Sequence, residues 1–534
     1  MSKTKHSRKW VFLIVGLVVL LAFLFVLIRK ARGPALPPPS VVATPAMRAK
    51  LPASGIVGKP VTPGPREPNS TNVVLVVVDT ERADYLNPYG AERPTSPFLS
   101  EMASQGITFT RAFSTAPWTP PAMFSLMTGL NPSEHGITSG TAVGQGEARR
   151  VRGQDALPDE ATTMAELLKE QGYSTFGINT NYHLNAKYGF AQGFDRFAGS
   201  SFTFLPYPNL MVNSLAGEIR GAPKYFLWLH YFDPHFPYRG IAPWFDQWND
   251  SAFKASYQFS EDMTVRVFRK YKKLKPQDLV PPEYIETIYK VSKLLSANQN
   301  AISTGTGYLL PESVDDYIKF LVAAYQSELR GVDDAMKEAL EKLGVDDNTL
   351  LIFTADHGEE IFDHGRLGHR HSVYQELIHI PLIIRLPGKK AAGTVIDTPV
   401  SIIDILPTLL DLLDLPIPEH LSGVSLKPLI EGEKIPARPF YCEVKNRVGE
   451  TRCLVEFPWK VIYHFYNKVT ELYNLETDPK EKVDLSAEEP GRADAMRQRL
   501  IDWTENTKPR WRATKLKPLS RQELRQLRQM GYIQ

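Results

Sequence analysis

Two acidic positions and a histidine fall where apolar strand patterns stop. Asp79 ends the run VVLVVVD, and Asp356 and His357 follow TLLIFTA directly. A third cluster, His230 to His235, closes the run YFLWLHYF. A single Asp after a strand usually caps a turn or a helix. Two such carboxylates joined by an imidazole read differently, because ionised groups gathered in a dry crevice need a cation. A hard carboxylate beside a borderline imidazole suits a divalent metal. These positions are far apart in the chain, so only a fold can bring them together.

The elements that must do so are legible. The β-branched run 73 to 79 has the pattern of a strand buried on both faces of a largely parallel sheet. Helical stretches such as TMAELLKEQG and DDYIKFLVAAYQSELRGVDDAMKEALEKLG alternate with the apolar runs YSTFGIN, YFLWLHYF, TLLIFTAD and IPLIIRLPG. Alternation of this kind predicts an α/β sandwich with helices on both faces and ligands at the carboxyl ends of the strands. From about residue 436, RPFYCEVKNRVGETRCLVEF, WKVIYHFYN and ELYNLETDPKEKVDL predict a small antiparallel sheet. Cys442 and Cys453 fall in one hairpin of it, with the turn near Arg447 to Gly449; a disulfide and a pair of buried thiols both stay open. Ser520 and Glu523 stand at capping-box spacing, predicting a basic tail helix.

The composition, 43% hydrophobic and 10% aromatic, is too apolar for a disordered chain. A net charge of +3 gives no global case for nucleic acid. Residues 10 to 28, WVFLIVGLVVLLAFLFVLI, carry no charge and no proline, a length able to cross a hydrocarbon core of about 30 Å. Lys3, Lys5, Arg8 and Lys9 precede the run and RKARG follows it, so an uncleaved single-pass anchor is expected, with the N-terminus inside. The catalytic part would then face the periplasm or exterior of the inner or plasma membrane. The expected organisation is a cytoplasmic tip and anchor over 1–32, a Pro-rich linker over 33–72, a catalytic domain over 73–435 and a C-terminal antiparallel subdomain with its tail over 436–534. Within it, residues 240–315 read as an insertion near the site mouth.

From about residue 72 onward the chain resembles the sulfatase branch of the alkaline phosphatase superfamily. The resemblance lies in NVVLVVVDTERADYLNPYG, APWTPPAMFSLMTGLNPSEHG, NYHLN followed by GFD, HYFDPHFPY, DNTLLIFTADHGEE, GHRHSVYQELIHIPLIIRLPG and ELYNLETDPKEKVDL. It implies a large mixed, mostly parallel sheet covered by helices, plus the small C-terminal sheet. It also implies one divalent metal, Ca²⁺, Mn²⁺ or Zn²⁺, held by Asp79, Asp356, His357 and the oxygen of Thr119. Thr80 stands where many sulfatases have a second Asp. Sulfatases carry a Cys or Ser in C-x-P-x-R that becomes formylglycine; here the motif is Thr119-Pro120-Pro121-Ala122-Met123. The methyl group on the threonine Cβ blocks that oxidation, so no formylglycine is expected. A threonine hydroxyl beside a metal is a workable nucleophile.

By the same resemblance His183, His235 and His369 join Thr119 as catalytic residues. Asn181, Arg370 and His371 are expected to bind substrate, and Asp233 and Glu359 to orient neighbouring groups. The implied activity is hydrolysis of a sulfate or phosphate ester carried by a glycan, lipid or small molecule, through a Thr119 ester. One rival reading is a transferase of phosphoethanolamine- or phosphoglycerol-type head groups; another is a metal-binding homologue that has lost turnover, given Met123 and Asn181 where arginine and lysine are usual.

Overall fold

Strand β2 (Asn72–Val78) is buried at every position, so its alternating side chains must meet protein on both sides. Val74, Val76 and Val78 enter one core, and Val73, Leu75 and Val77 enter another. The computed structural model describes residues 56–67, 70–138, 155–199, 207–236, 238–251, 314–445, 449–512 and 514–515. The remaining strands of the large sheet are β1 (Ile56–Gly58), β3 (Ile107–Phe113), β4 (Ser174–Asn179), β5 (Arg196–Gly199), β6 (Tyr225–Tyr231), β7 (Thr349–Ala355), β8 (His379–Arg385), β9 (Thr394–Ile396) and β10 (Val400–Ser401). Their order is β1-β5-β4-β6-β2-β7-β8-β3-β9, with β10 beside β3. The run β5-β4-β6-β2-β7 is parallel, while β8 lies antiparallel to both of its neighbours. The mixed, mostly parallel sheet expected from the sequence is therefore present.

Helices α1 (Pro97–Ser104), α4 (Tyr207–Gly221) and α5 (Val314–Leu343) cover the first core. Helices α2 (Thr119–Thr128), α3 (Met164–Glu170) and α6 (Ile405–Leu412) cover the second. The C-terminal sheet, β11 (Phe440–Lys445), β12 (Glu450–Glu456), β13 (Trp459–His464) and β14 (Val469–Asn474), is an antiparallel meander. One face carries Leu454, Val461 and Leu472 against Ala493, Met496 and Leu500 of α7 (Pro490–Asn506). The other packs Phe440, Cys442 and Ile462 against Trp118, Ala122 and Leu377, so it supports the start of α2 directly. A fully buried ion pair joins the two units: Lys460 Nζ meets Glu481 Oε1 at 2.6 Å and donates to Val373 O. Cys442 and Cys453 are directly paired across β11 and β12, buried, and present as free thiols.

One stretch departs from expectation. Residues 56–67, read as part of a proline-dense linker, run along the catalytic unit: β1 pairs with the edge strand β5, and Gly64 N donates to Gly221 O at 3.0 Å. An unpaired sheet edge offers free backbone donors and acceptors, and prolines are tolerated on the strand that covers it. The tail helix, most of the 240–315 segment and the apolar run 10–28 lie outside the described residues. Among the described residues no helix is long and apolar enough to cross a membrane.

Candidate active site

Parallel register aligns the carboxyl ends of three adjacent strands. Val78 of β2 pairs with Tyr231 of β6 and with Ala355 of β7, so Asp79 and Asp356 emerge side by side on the next row. Asp79 N donates to Tyr231 O at 2.9 Å, holding the first of them in place. Thr119 is the first residue of α2, whose ten residues are all buried. Its hydroxyl therefore sits at the positive end of the helix, where negative charge is favoured.

Four donor atoms converge here. Thr119 Oγ1 lies 3.4 Å from Asp79 Oδ1 and 3.3 Å from His357 Nε2. His357 Nε2 is 3.6 Å from Asp79 Oδ1 and 3.5 Å from Asp356 Oδ2. The second oxygen of each carboxylate is already committed: Asp79 Oδ2 accepts from Asn181 Nδ2 at 2.5 Å, and Asp356 Oδ1 accepts from the backbone of Thr80 and His357. His357 Nδ1 faces Gly358 O at 2.8 Å; with the proton on that nitrogen, Nε2 keeps its lone pair for the site. Gly358 is required at this turn, because a Cβ there would lie 2.0 Å from Glu376 O.

The residues fit a divalent ion. Bond lengths near 2.1 Å set tetrahedral donor spacings of about 3.4 Å, close to the four distances given above. Asp79, Asp356 and His357 are fully buried, and Asp356 Oδ2 has no hydrogen-bond partner among the described residues. Burial, and for Asp79 the neighbouring Asp356 charge, pushes both carboxyls above the usual range. Burial and then His369 hold the His357 ring well below its ordinary value. A bound cation reverses the penalty on the carboxylates and favours neutral imidazole.

Three more histidines surround this centre. The His235 and His369 rings meet edge to face at 4.8 Å between centroids, and His369 lies 4.6 Å from the His357 ring. Buried Glu359 ties them together: Oε1 meets His369 Nδ1 at 2.8 Å and Oε2 accepts from Phe236 N at 3.3 Å. Burial lowers His235 and His369 to about 3. His183, on a short turn at Tyr182–Leu184, is lowered by burial and by the Arg370 charge, which puts the guanidinium near it. Arg370 has φ 71°, its N donates to Pro117 O, and its guanidinium stacks 4.1 Å above Trp118.

Two expected substrate binders have structural partners. Asn181 joins Asp79 to the His183 turn, its Oδ1 accepting from His183 N at 2.8 Å. His371 Nε2 meets Glu360 Oε2 at 2.6 Å and its Nδ1 meets His369 O at 3.1 Å, so both ring nitrogens are engaged within its own loop. Sequence reasoning did not select Trp118, which directly precedes the nucleophile position, or Arg82, whose guanidinium grips the loop bearing Glu359. Arg82 donates to Asp84, two residues on, and to Asp363 and Glu359 O, which only folding brings within reach.

Known proteins resemble this chain over most of its length. The family profile described as Sulfatase matches residues 71–415, and one described as N-sulphoglucosamine sulphohydrolase, C-terminal, matches residues 363–505. The chain is 26% identical over 508 residues to the multifunctional alkaline phosphatase superfamily protein PehA of Trinickia caryophylli, covering 81% of this chain and 95% of that one. It is 23% identical over 496 residues to an N-acetylglucosamine-6-O-sulfatase of Bacteroides thetaiotaomicron, covering 78% and 83%. Among solved structures, the phosphonate monoester hydrolase of Agrobacterium radiobacter shares the fold with a TM-score of 0.57 at 20% identity, over 82% of this chain and 96% of that one. The chain belongs to the sulfatase family of the alkaline phosphatase superfamily and is an ester hydrolase of that family.

Proposed function

We propose that this protein is a metal-dependent hydrolase of an anionic sulfate or phosphate ester that works through a covalent ester of Thr119. The observation that carries the reading is the placement of Thr119 Oγ1 within 3.4 Å of both Asp79 Oδ1 and His357 Nε2, at the start of α2. Asp79, Asp356, His357 and Thr119 would hold one divalent ion. Such an ion polarises the substrate oxygens and lowers the cost of the Thr119 alkoxide.

The chain's own groups account for the remaining steps. Arg370, steadied on Trp118, and the N-terminus of α2 orient the anion. The Thr119 hydroxyl gives up its proton to water, Oγ1 attacks sulfur or phosphorus, and the bond to the leaving alcohol breaks. His235 or His369 supplies the proton that alcohol needs. Burial keeps both rings neutral before substrate arrives, and the incoming negative charge raises their affinity for a proton. Water then cleaves the Thr119 ester and regenerates the hydroxyl. A phosphothreonine is open to direct attack by water, whereas a sulfated threonine lacks the elimination route of a formylglycine hydrate; this favours phosphorus over sulfur. The similarity to an N-acetylglucosamine-6-O-sulfatase supports a glycan-borne ester as the wider substrate class. The apolar run 10–28 with its basic flanks supports a single-pass anchor that holds the catalytic unit outside the cytoplasm.

The test is activity of the full chain against aryl sulfate, phosphate monoester, phosphodiester and phosphonate substrates with a panel of divalent ions, beside Thr119→Ala. Turnover that needs metal and disappears in Thr119→Ala is expected. Equal activity of the two proteins would overturn the mechanism. Turnover only with a lipid donor and an alcohol acceptor present would replace hydrolysis by head-group transfer.

A further inference from the structure

His230 is the penultimate residue of β6, inside an otherwise apolar strand, and is fully buried. Both of its ring nitrogens lack a hydrogen-bond partner among the described residues. Leaving two polar nitrogens of a buried imidazole unsatisfied costs a few kcal/mol, so the position calls for a ligand.

The pleat of the sheet says where that ligand lies. His230 pairs with Val77 on β2, which pairs with Thr354 on β7, forming one row across three adjacent strands. Side chains two residues apart on a strand share a face. Asp79 and Asp356 therefore stand directly above this row, on the face that His230 shares. One ring nitrogen of His230 and one oxygen each of Asp79 and Asp356 lie within 4.8 Å of one another. Donors of one metal with bonds near 2.1 Å lie at most about 4.2 Å apart, so a shared ion asks these side chains to draw in by no more than a few tenths of an ångström.

We propose that His230 is a further ligand of the metal held by Asp79, Asp356, His357 and Thr119, approaching from beneath the sheet ends. The inference rests on the metal-dependent reading above and deepens it. It also accounts for the residue after Asp79: Thr80 is buried with φ 58°, and its hydroxyl has no hydrogen-bond partner among the described residues, so no second carboxylate reaches the centre from there. The ligand set becomes two carboxylates, two neutral imidazoles and the nucleophile. Two nitrogen donors favour a borderline ion such as Zn²⁺ over Ca²⁺, which takes oxygen ligands.

The experiment is X-ray absorption on the full-length protein in detergent, stripped of metal and reconstituted with Zn²⁺, where the outer-shell scattering counts imidazoles. Two imidazoles per zinc are expected, and Ca²⁺ in excess should not displace the zinc. A single imidazole, or displacement by Ca²⁺, overturns the assignment of His230 while leaving a metal-dependent enzyme. Failure to retain any divalent ion overturns the metal-dependent reading itself. As a second readout, His230→Asn should weaken zinc affinity by more than about a hundredfold, since loss of supporting groups alone costs 10–100-fold. Unchanged affinity in that variant overturns the proposal.

Discussion

Arg82 links the fold to the chemistry, and its removal has a calculable cost. Its guanidinium is 4% exposed, forks onto Asp84 with bonds of 2.9 and 2.7 Å, forks onto Asp363 with bonds of 2.6 and 3.0 Å, and donates to Glu359 O at 3.1 Å. Burial alone would raise the Asp363 carboxyl, but Arg82, helped by the Ile361 amide and Lys482, outweighs it and holds the group down to about 2 from 3.8. A depressed carboxyl contributes stability above its ordinary value and loses it as pH falls toward the folded value. At neutral pH the whole difference is present, about 2 kcal/mol at 1.36 kcal/mol per unit. Adding the stranded Glu359 carbonyl brings Arg82→Met to a loss of about 3 kcal/mol. With roughly 2 cal/mol/K per residue over a folded unit of about 400 residues, the melting temperature drops by about 4 °C. Arg82→Lys keeps the charge but cannot fork onto two carboxylates, so it should recover only part of this. Because Glu359 fixes His369, kcat should fall about tenfold in both variants, while bound metal stays unchanged. Calorimetry and steady-state kinetics on the three proteins decide the matter. Arg82→Lys indistinguishable from the parent in both melting temperature and kcat would refute this reasoning.

Breaking the buried Lys460–Glu481 pair with Lys460→Met should cost about 3–5 kcal/mol, and the double variant Lys460→Met, Glu481→Leu should recover most of it, measured by urea denaturation. His135 is held to about 3 by burial, although its hydrogen bond to Pro121 O opposes the shift. The unfolded ring binds a proton near pH 6.5, so His135 alone should contribute a decline of about 1.4 kcal/mol per unit as pH falls below that value, levelling off near pH 3, on top of the loss from the other buried histidines. Thermal unfolding compared between neutral and mildly acidic buffer, with His135→Gln alongside, checks the slope. Gly358→Ala should lower both melting temperature and metal occupancy, since its Cβ would meet Glu376 O at 2.0 Å; unchanged occupancy by elemental analysis would contradict the packing described.

Asp79, Asp356 and His357 were legible because they directly follow runs with no charged side chain and mostly apolar ones, and a charged group in that place announces a strand end. The small C-terminal sheet was legible from its alternation and turn residues. Thr119 was not visible by type or pattern; only the surrounding motif singled it out, since a threonine before two prolines reads as an ordinary helix start. His230 was seen within its cluster, but its neighbours are core residues, and only the register across β6, β2 and β7 shows that it sits below two carboxylates. Arg82 acts through partners as far along the chain as Asp363, a relation that local sequence does not encode. Residues 56–67 looked like a spacer because proline predominates there; the need to cover the edge of β5 decided their place. Helix α7 carries its own local signal, Pro490 at its first turn with Ala493, Met496 and Leu500 along one face.

The central claim is that Thr119 carries the reacting group. Acid quenching during turnover of a phosphate or sulfate ester, followed by peptide mass spectrometry, tests it at the atom concerned. The account predicts one phosphoryl or sulfuryl group on the peptide containing Thr119, lost on further incubation and absent from Thr119→Ser only if that variant is inactive. Sustained turnover by Thr119→Ala, or a label on a different residue, would contradict it.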